Sequence, residues 1–311
     1  MLSRTRLMAL TATASMALSS LCLAQLVLPP VAPPPESDPS FEMPPKPIAP
    51  PVATPINPSK PKPEPIVIPE GVKYTSLVER DAEGKLIPLA VPTDWAALKN
   101  NTLLDDAQRP AIEKYLAERK AHLRTMVAQN LDLIEEIENG ALNKLNADNL
   151  ADRKNGEMQR VTNIARPLMP PKSAPDLAKD LTDKGLFTPV QGALHKKITK
   201  EYADALLKDA NAADKSQTLV NTLRSIFNQG LEETRTIHQE MLAAAAAHAD
   251  DLAAKGVLSD SAIAKALNAI DASAPLAAKA KAASDALASL SLDQRKAIMT
   301  SLAEMMNSAK N

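Results

Sequence analysis

The sequence predicts an all-α protein, an elongated helical bundle or hairpin that follows a small N-terminal β-hairpin and a disordered proline-rich leader. Three observations carry that expectation. Of 311 residues, 53 are Ala and only 8 Gly, with one Trp, three Tyr and three Phe. That balance favours helix over the β-branched and glycine-rich content of sandwiches and α/β cores. Seventeen of the 26 prolines fall within 29–69, where they exclude helix and sheet interiors because Pro lacks an N–H and fixes φ. From Thr93 onward, apolar residues recur at spacings of three, four and seven, the period of an amphipathic helix.

The chain divides into 1–24, 25–70, 71–92 and 93–311. Arg4 and Arg6 precede an apolar stretch, 7–23, and small Cys22 and Ala24 precede Gln25. This is the pattern of a cleaved secretory signal, so the sequence implies an exported, periplasmic or secreted protein cut after Ala24. Leu21 stands where a lipidation signal needs a small residue. Retention as an anchor is the alternative, because 7–28 is long enough to span a bilayer, but its Ala, Ser and Thr make it weakly apolar. Beyond it no integral membrane span is expected. Cleavage removes the single Cys and leaves 34 Lys and Arg against 37 acids, so neither disulfide nor thiolate chemistry is expected in the mature chain.

The proline-rich stretch reads as a solvated polyproline-II-like spacer, reaching about 127 Å at ~3.1 Å per residue. Residues 72–92 read as a two-stranded hairpin turning at Asp81, Ala82, Glu83 and Gly84, with Pro88 making the second strand an edge. A lone hairpin is marginal in water, so it is expected to lie on the helical body and cover Trp95.

Helices are expected over 105–139, stopping at Gly140; from about 150 to Arg166; to Lys184; from a Thr188–Gln191 capping box with Pro189 at the first position to about Ala210; over 215–255; and over 260–271, 275–290 and 292–308. A 41-residue helix over 215–255 would be about 60 Å long and would overhang a compact body of this size. An elongated shape, a kink at Gly230 or a homodimer would each resolve that. The Ala-rich run after Met241 offers small side chains against which a neighbouring helix can approach closely.

One internal repeat stands out. Residues 104–119 (LDDAQRPAIEKYLAER) and 290–305 (LSLDQRKAIMTSLAEM) align without gaps. Leu104, Gln108, Arg109, Ile112 and Leu116 in the first copy match Leu290, Gln294, Arg295, Ile298 and Leu302 in the second, where Ser291 supplies the capping hydroxyl. As local structure this is a capping box (Asp105 or Ser291 with Gln108 or Gln294) opening an amphipathic helix. As a signature it resembles the LTxxQ motif of periplasmic Spy/CpxP-like proteins, with Asp105 in the first copy where that family has Thr or Ser. The resemblance implies an all-α, often dimeric cradle that binds unfolded clients or inhibits an envelope stress sensor without ATP.

Near-neutral, mixed-sign charge gives no electrostatic footprint for nucleic acid. None of His122, His195, His238 and His248 pairs at i,i+4, and no HExxH, GxSxG, P-loop or GxGxxG is present. Each histidine reads as a solvated or partly buried helix residue. The adjacent acids Glu135-Glu136, Glu232-Glu233 and Asp250-Asp251 read as solvated faces or partners of helix N-termini. No catalytic residue, cofactor or metal is therefore assigned. The expectation is a non-enzymatic binding protein, chaperone-like or envelope-stress related, that presents the apolar faces of 105–139 and 215–255 to a protein partner or unfolded client. The alternative is an envelope scaffold tethered through its proline-rich arm.

Overall fold

The computed structural model describes residues 66–147, 156–169 and 176–308. The signal segment, the proline-rich stretch up to residue 65 and the predicted helix start near residue 150 lie outside them. The described residues form twelve α-helices and no strand: α1 (Thr93–Asn100), α2 (Arg109–Gln129), α3 (Leu131–Glu138), α4 (Glu157–Ala165), α5 (Leu177–Asp183), α6 (Pro189–Ala213), α7 (Thr218–Gly230), α8 (Glu232–Ala247), α9 (Ala249–Ala254), α10 (Ser261–Asn268), α11 (Leu276–Leu287) and α12 (Leu292–Ser308).

The predicted 105–139 helix is broken at Asn130, whose φ of −116° and ψ of 32° leave the helical region. The Asn130 side chain donates to the Met126 carbonyl at 2.9 Å, the local competition with the backbone that makes Asn a poor interior residue. The apolar stripe nevertheless carries across the break at spacings of three and four. Ile112, Leu123 and Val127 are buried before it, and Leu131, Ile134 and Ile137 after it. The stop at Gly140 forms as expected, with φ at +91°, where a Cβ would be strained.

The predicted 215–255 rod is three helices, interrupted at Leu231 and His248. Gly230 is the last residue before the first interruption, and a Cβ there would meet Met169 side-chain atoms at 2.9–3.2 Å. The segment is therefore not one uninterrupted helix, although the bonds from the Leu231 and Arg235 N–H groups to the Phe227 and Leu231 carbonyls bridge the first interruption. The start is also later than predicted: Asp214 caps a single 3-10 turn by accepting the Ser216 N–H at 3.0 Å, and α7 begins at Thr218.

α8 organises the main core. α11 lies along it, and α2 and α12 pack against it and against each other. Ala245 of α8 and Ala280 and Ala283 of α11 are buried in that core, as the small side chains of the Ala-rich run allow. The apolar faces of α2–α3 and of α8 are internal. Leu219, an apolar residue of the 215–255 segment, is by contrast 66 % exposed.

A second, smaller core joins α1 and α6 to the segment that precedes them. Leu77, Leu86, Ala96, Ala97, Leu194, Ile198, Tyr202 and Leu206 form it. In place of the expected two-stranded hairpin, the described residues hold a single isolated antiparallel bridge between Arg80 and Leu86. Pro88 interrupts further pairing, and the segment is held to α6 by side chains instead. Tyr74 donates to Glu201, Arg80 forks onto Asp209 at 3.0 Å, and the Leu89 N–H donates to the Tyr202 hydroxyl at 3.3 Å. It covers Ala96 and Ala97 rather than Trp95, which lies in the main core.

Candidate functional site

The repeated motif is the first candidate. In the second copy the capping box forms in full: the Gln294 side chain accepts the Ser291 N–H at 2.9 Å, and the Ser291 hydroxyl accepts the Gln294 N–H at 3.3 Å. Ile298 and Leu302 are fully buried, and Leu290 packs on the core from a half-buried position. Arg295 bridges outward, donating to both carboxylate oxygens of Glu135 at 2.8 and 2.7 Å and to the Leu290 carbonyl at 2.5 Å.

The first copy departs from the expected box. Gln108 accepts the Asp105 N–H at 3.1 Å, but the Asp105 carboxylate takes the Ala107 N–H at 3.0 Å, and the α-helix starts only at Arg109. Pro110, which has no N–H, occupies the first turn. Leu104 and Ile112 are buried, Leu116 packs half-buried on the core, and Arg109 is exposed against Asp106.

The two copies meet as helices but not as motifs. Asn307 contacts α2 through Arg124 at 3.0 Å and the Ala121 carbonyl at 3.4 Å. At the other end of α12, Lys296 pairs with Asp132 and Arg295 with Glu135, both at 2.7 Å. α12 therefore runs antiparallel to α2–α3, and the N-terminal motif residues lie at opposite ends of the pair.

Arg295 lines a cavity of about 230 Å³ with Glu135, Glu138, Asn139, His238 and Ser284. His238 is 3 % exposed, and its Nδ1 lies 2.8 Å from Glu138 Oε1. This corrects the reading of that histidine as solvated or partly buried. His195 is buried completely: Nε2 lies 2.9 Å from Asp94 Oδ1, and Nδ1 has no partner. His122 is exposed, and His248 sits near Asp251 at 3.1 Å. Arg295 is held by Glu135 and His238 lies within hydrogen-bonding distance of Glu138, contacts that tie α3 to α12 and α8. Among the described residues, no group of three or more His, Cys, Asp or Glu is placed to hold a metal ion.

The least expected cluster lies at the start of α8. Glu232 and Glu233 are 9 % and 7 % exposed, not a solvated face. Glu233 accepts a two-pronged pair from Arg119, at 3.0 and 2.5 Å, and the Trp95 indole N–H at 2.7 Å. Lys120 stands 3.9 Å over the Trp95 ring and pairs with Glu240 at 3.2 Å. Glu232 accepts the Thr93 N–H at 3.1 Å and the Thr93 hydroxyl at 3.3 Å. α1 has Pro92 at its N-cap and no local side-chain cap, so a carboxyl 139 residues away satisfies its first N–H. Burial raises the Glu232 pKa to about 8. The Thr93 N–H and hydroxyl oppose that shift, and neighbouring Asp94 and Glu233 add to it.

Sequence reasoning missed this cluster because adjacent acids at a helix start are ordinary dipole partners. Only the third-dimensional approach of α1 and α2 buries them. Chemically the cluster can hold or release one proton at Glu232. The chain matches no family model, no curated protein and no solved structure.

Proposed function

We propose that this chain is an exported, non-enzymatic binding protein with a scaffolding role, its proline-rich arm forming the tether and its helical body docking to a protein partner. The observation that carries this reading is where exposed apolar side chains occur. Among the described residues the large exposed hydrophobics are Ile66 (55 %), Val67 (76 %), Ile87 (42 %) and Leu219 (66 %). Ile66 and Val67 lie at the end of the proline-rich stretch itself, and Ile87 lies on the segment that directly follows it. The apolar faces of α2–α3 and α8, by contrast, pack in the core, which supports docking through the arm-bearing segment over an apolar cradle on those helices. Export rests on the charge and hydropathy pattern of 1–24.

The chaperone-like reading rests on the resemblance of the two motif copies to the LTxxQ pattern. One observation bears on it: the motif residues form helix caps, core contacts and an ion pair. The test has two arms. Envelope fractions are assayed for the full chain and for a chain lacking 29–65. The folded protein is also added to a chemically denatured client without ATP. Retention lost on deletion, with no suppression of aggregation, supports the scaffold. Suppression near one-to-one with unchanged retention overturns it in favour of the chaperone-like reading.

A further inference from the structure

The buried end of α8 carries more than packing. Glu232 sits between two other acids, Glu233 on its own helix and Asp94 on α1, both of which act on it. From α2, Arg119 is committed to Glu233, and Lys120 lies over Trp95 and pairs with Glu240. From α6, Tyr202 faces Glu232 through space, and His195 is held by Asp94. Arg235 of α8 is near enough to feel both Glu232 and Glu138, but its hydrogen bond goes to Asn228 at 2.8 Å. No cation hydrogen-bonds Glu232 among the described residues; its partners are the two donors of Thr93.

α1 in turn anchors the arm-bearing segment. The Asn100 amide at its end donates to the Thr75 carbonyl at 3.1 Å, and the Thr102 hydroxyl just beyond donates to the Lys73 carbonyl at 2.6 Å. Ala96 and Ala97 pack in the core that Leu77 and Leu86 complete. Whatever loosens the start of α1 therefore loosens the seat of residues 66–92.

We propose that Glu232 is a proton-operated latch: protonated, it holds α1 and the segment 66–92 against α8, and ionised, it releases them. A neutral carboxyl still accepts the Thr93 N–H on one oxygen, and its other oxygen lies 3.3 Å from the Thr93 hydroxyl, so the contact stays hydrogen-bonded without placing a charge in it. Loss of that proton puts a negative charge into a buried contact where Arg119 is already committed to Glu233 and the nearest further charge, on half-buried Asp94, has the same sign. Water reaches that charge only if α1 swings off α8. The titration of this group above neutrality supports the direction of the switch.

Trp95, the only Trp in the chain, bonds to Glu233 at the same contact and reports it directly. The experiment is a titration of the full chain from pH 6 to 9.5, reading Trp95 emission and acrylamide quenching. Peptide-level hydrogen exchange, corrected for its intrinsic pH dependence, accompanies it. The wild type is expected to show a reversible red shift and at least a twofold rise in quenching, centred near pH 8. Exchange should rise in 94–98 while 298–303 of α12 stay protected. Glu232→Gln should hold the low-pH emission across the range. A wild-type signal that stays flat overturns the latch. So does the same transition persisting in Glu232→Gln, or exchange rising equally in α1 and α12. The wild-type exchange pattern decides the matter alone if the variant does not fold.

Discussion

The side-chain amides of Gln108 and Gln191 face each other and satisfy each other. Gln191 Nε2 donates to Gln108 Oε1 at 2.7 Å, and Gln108 Nε2 donates back to Gln191 Oε1 at 3.3 Å. Their other positions are used as well. Gln191 takes the Thr188 N–H at 2.7 Å and donates to the Leu103 carbonyl at 2.7 Å. Gln108 takes the Asp105 N–H at 3.1 Å and donates to the Leu186 carbonyl at 3.2 Å. Two helix-start residues thus tie the turn before α2 to the start of α6.

Gln191→Ala should cost about 1–3 kcal/mol, because it strands the Leu103 carbonyl and the Thr188 N–H at a site that is 6 % exposed. Urea denaturation of Gln191→Ala, Gln108→Ala and the double variant gives the coupling between them. A coupling of roughly 0.5–3 kcal/mol is expected for groups in one network. Strictly additive losses would show that the two amides act independently.

The two motif copies should respond differently to removal of their caps. Ser291→Ala deletes a working N-cap on α12, with an expected loss of about 0.5–2 kcal/mol. Asp105→Ala removes a carboxylate that holds only the Ala107 N–H in an exposed turn before α2, so a change within about 0.5 kcal/mol is expected. Equal losses in thermal or urea unfolding would mean that the first copy is also a full cap in solution.

Stability should fall as pH rises from mildly acidic to slightly alkaline, and Glu232 sets the sign. Its folded pKa of about 8 lies above the ordinary 4.5. Between those values the folded chain binds the proton and the unfolded chain does not. The contribution is therefore fully present below pH 4.5 and is lost as pH climbs through 8, with a slope of at most about 1.4 kcal/mol per unit. Glu232→Gln removes that slope, so the variant should gain on the wild type from pH 5 to pH 8 in parallel urea titrations. A constant difference between the two across that range would refute the assignment.

Elements with a local cause were legible in the sequence. Thr188 and Gln191 close their capping box, with Pro189 at the first position, Ser291 and Gln294 close theirs, and Gly140 ends its segment, each because partners within four residues decide the geometry. The interruptions at Asn130 and Leu231 were less legible. Periodicity carries across a single kinked residue, and the Met169 contact that suits Gly230 comes from 61 positions upstream. The buried acids were not legible at all. Nothing near Glu232 in the chain distinguishes it from a solvated first-turn acid; Thr93, Trp95 and Arg119 make the difference, and they arrive from α1 and α2. The same holds for His195 and His238, whose burial depends on Asp94 and Glu138 from distant helices.

The crossing of α5 and α6 offers a test in which helix propensity and packing oppose each other. Gly192 lies inside the first turns of α6, with no positive φ to require glycine. Propensity alone predicts that Gly192→Ala stabilises by up to about 1 kcal/mol. A Cβ there, however, would stand 2.7 Å from Thr182 Oγ1 and 3.7 Å from the Ala178 carbonyl. Thr182 cannot turn its hydroxyl away freely, because that group donates to the Ala178 carbonyl at 2.7 Å. Overpacking should win, and Gly192→Ala should lose about 1–3 kcal/mol. Adding Thr182→Ala removes the hydroxyl that the new methyl meets. The double variant should then recover most of the loss and show the propensity gain that packing had masked. If Gly192→Ala is stabilising on its own, the close approach of α5 to α6 is looser in solution than 2.7 Å implies.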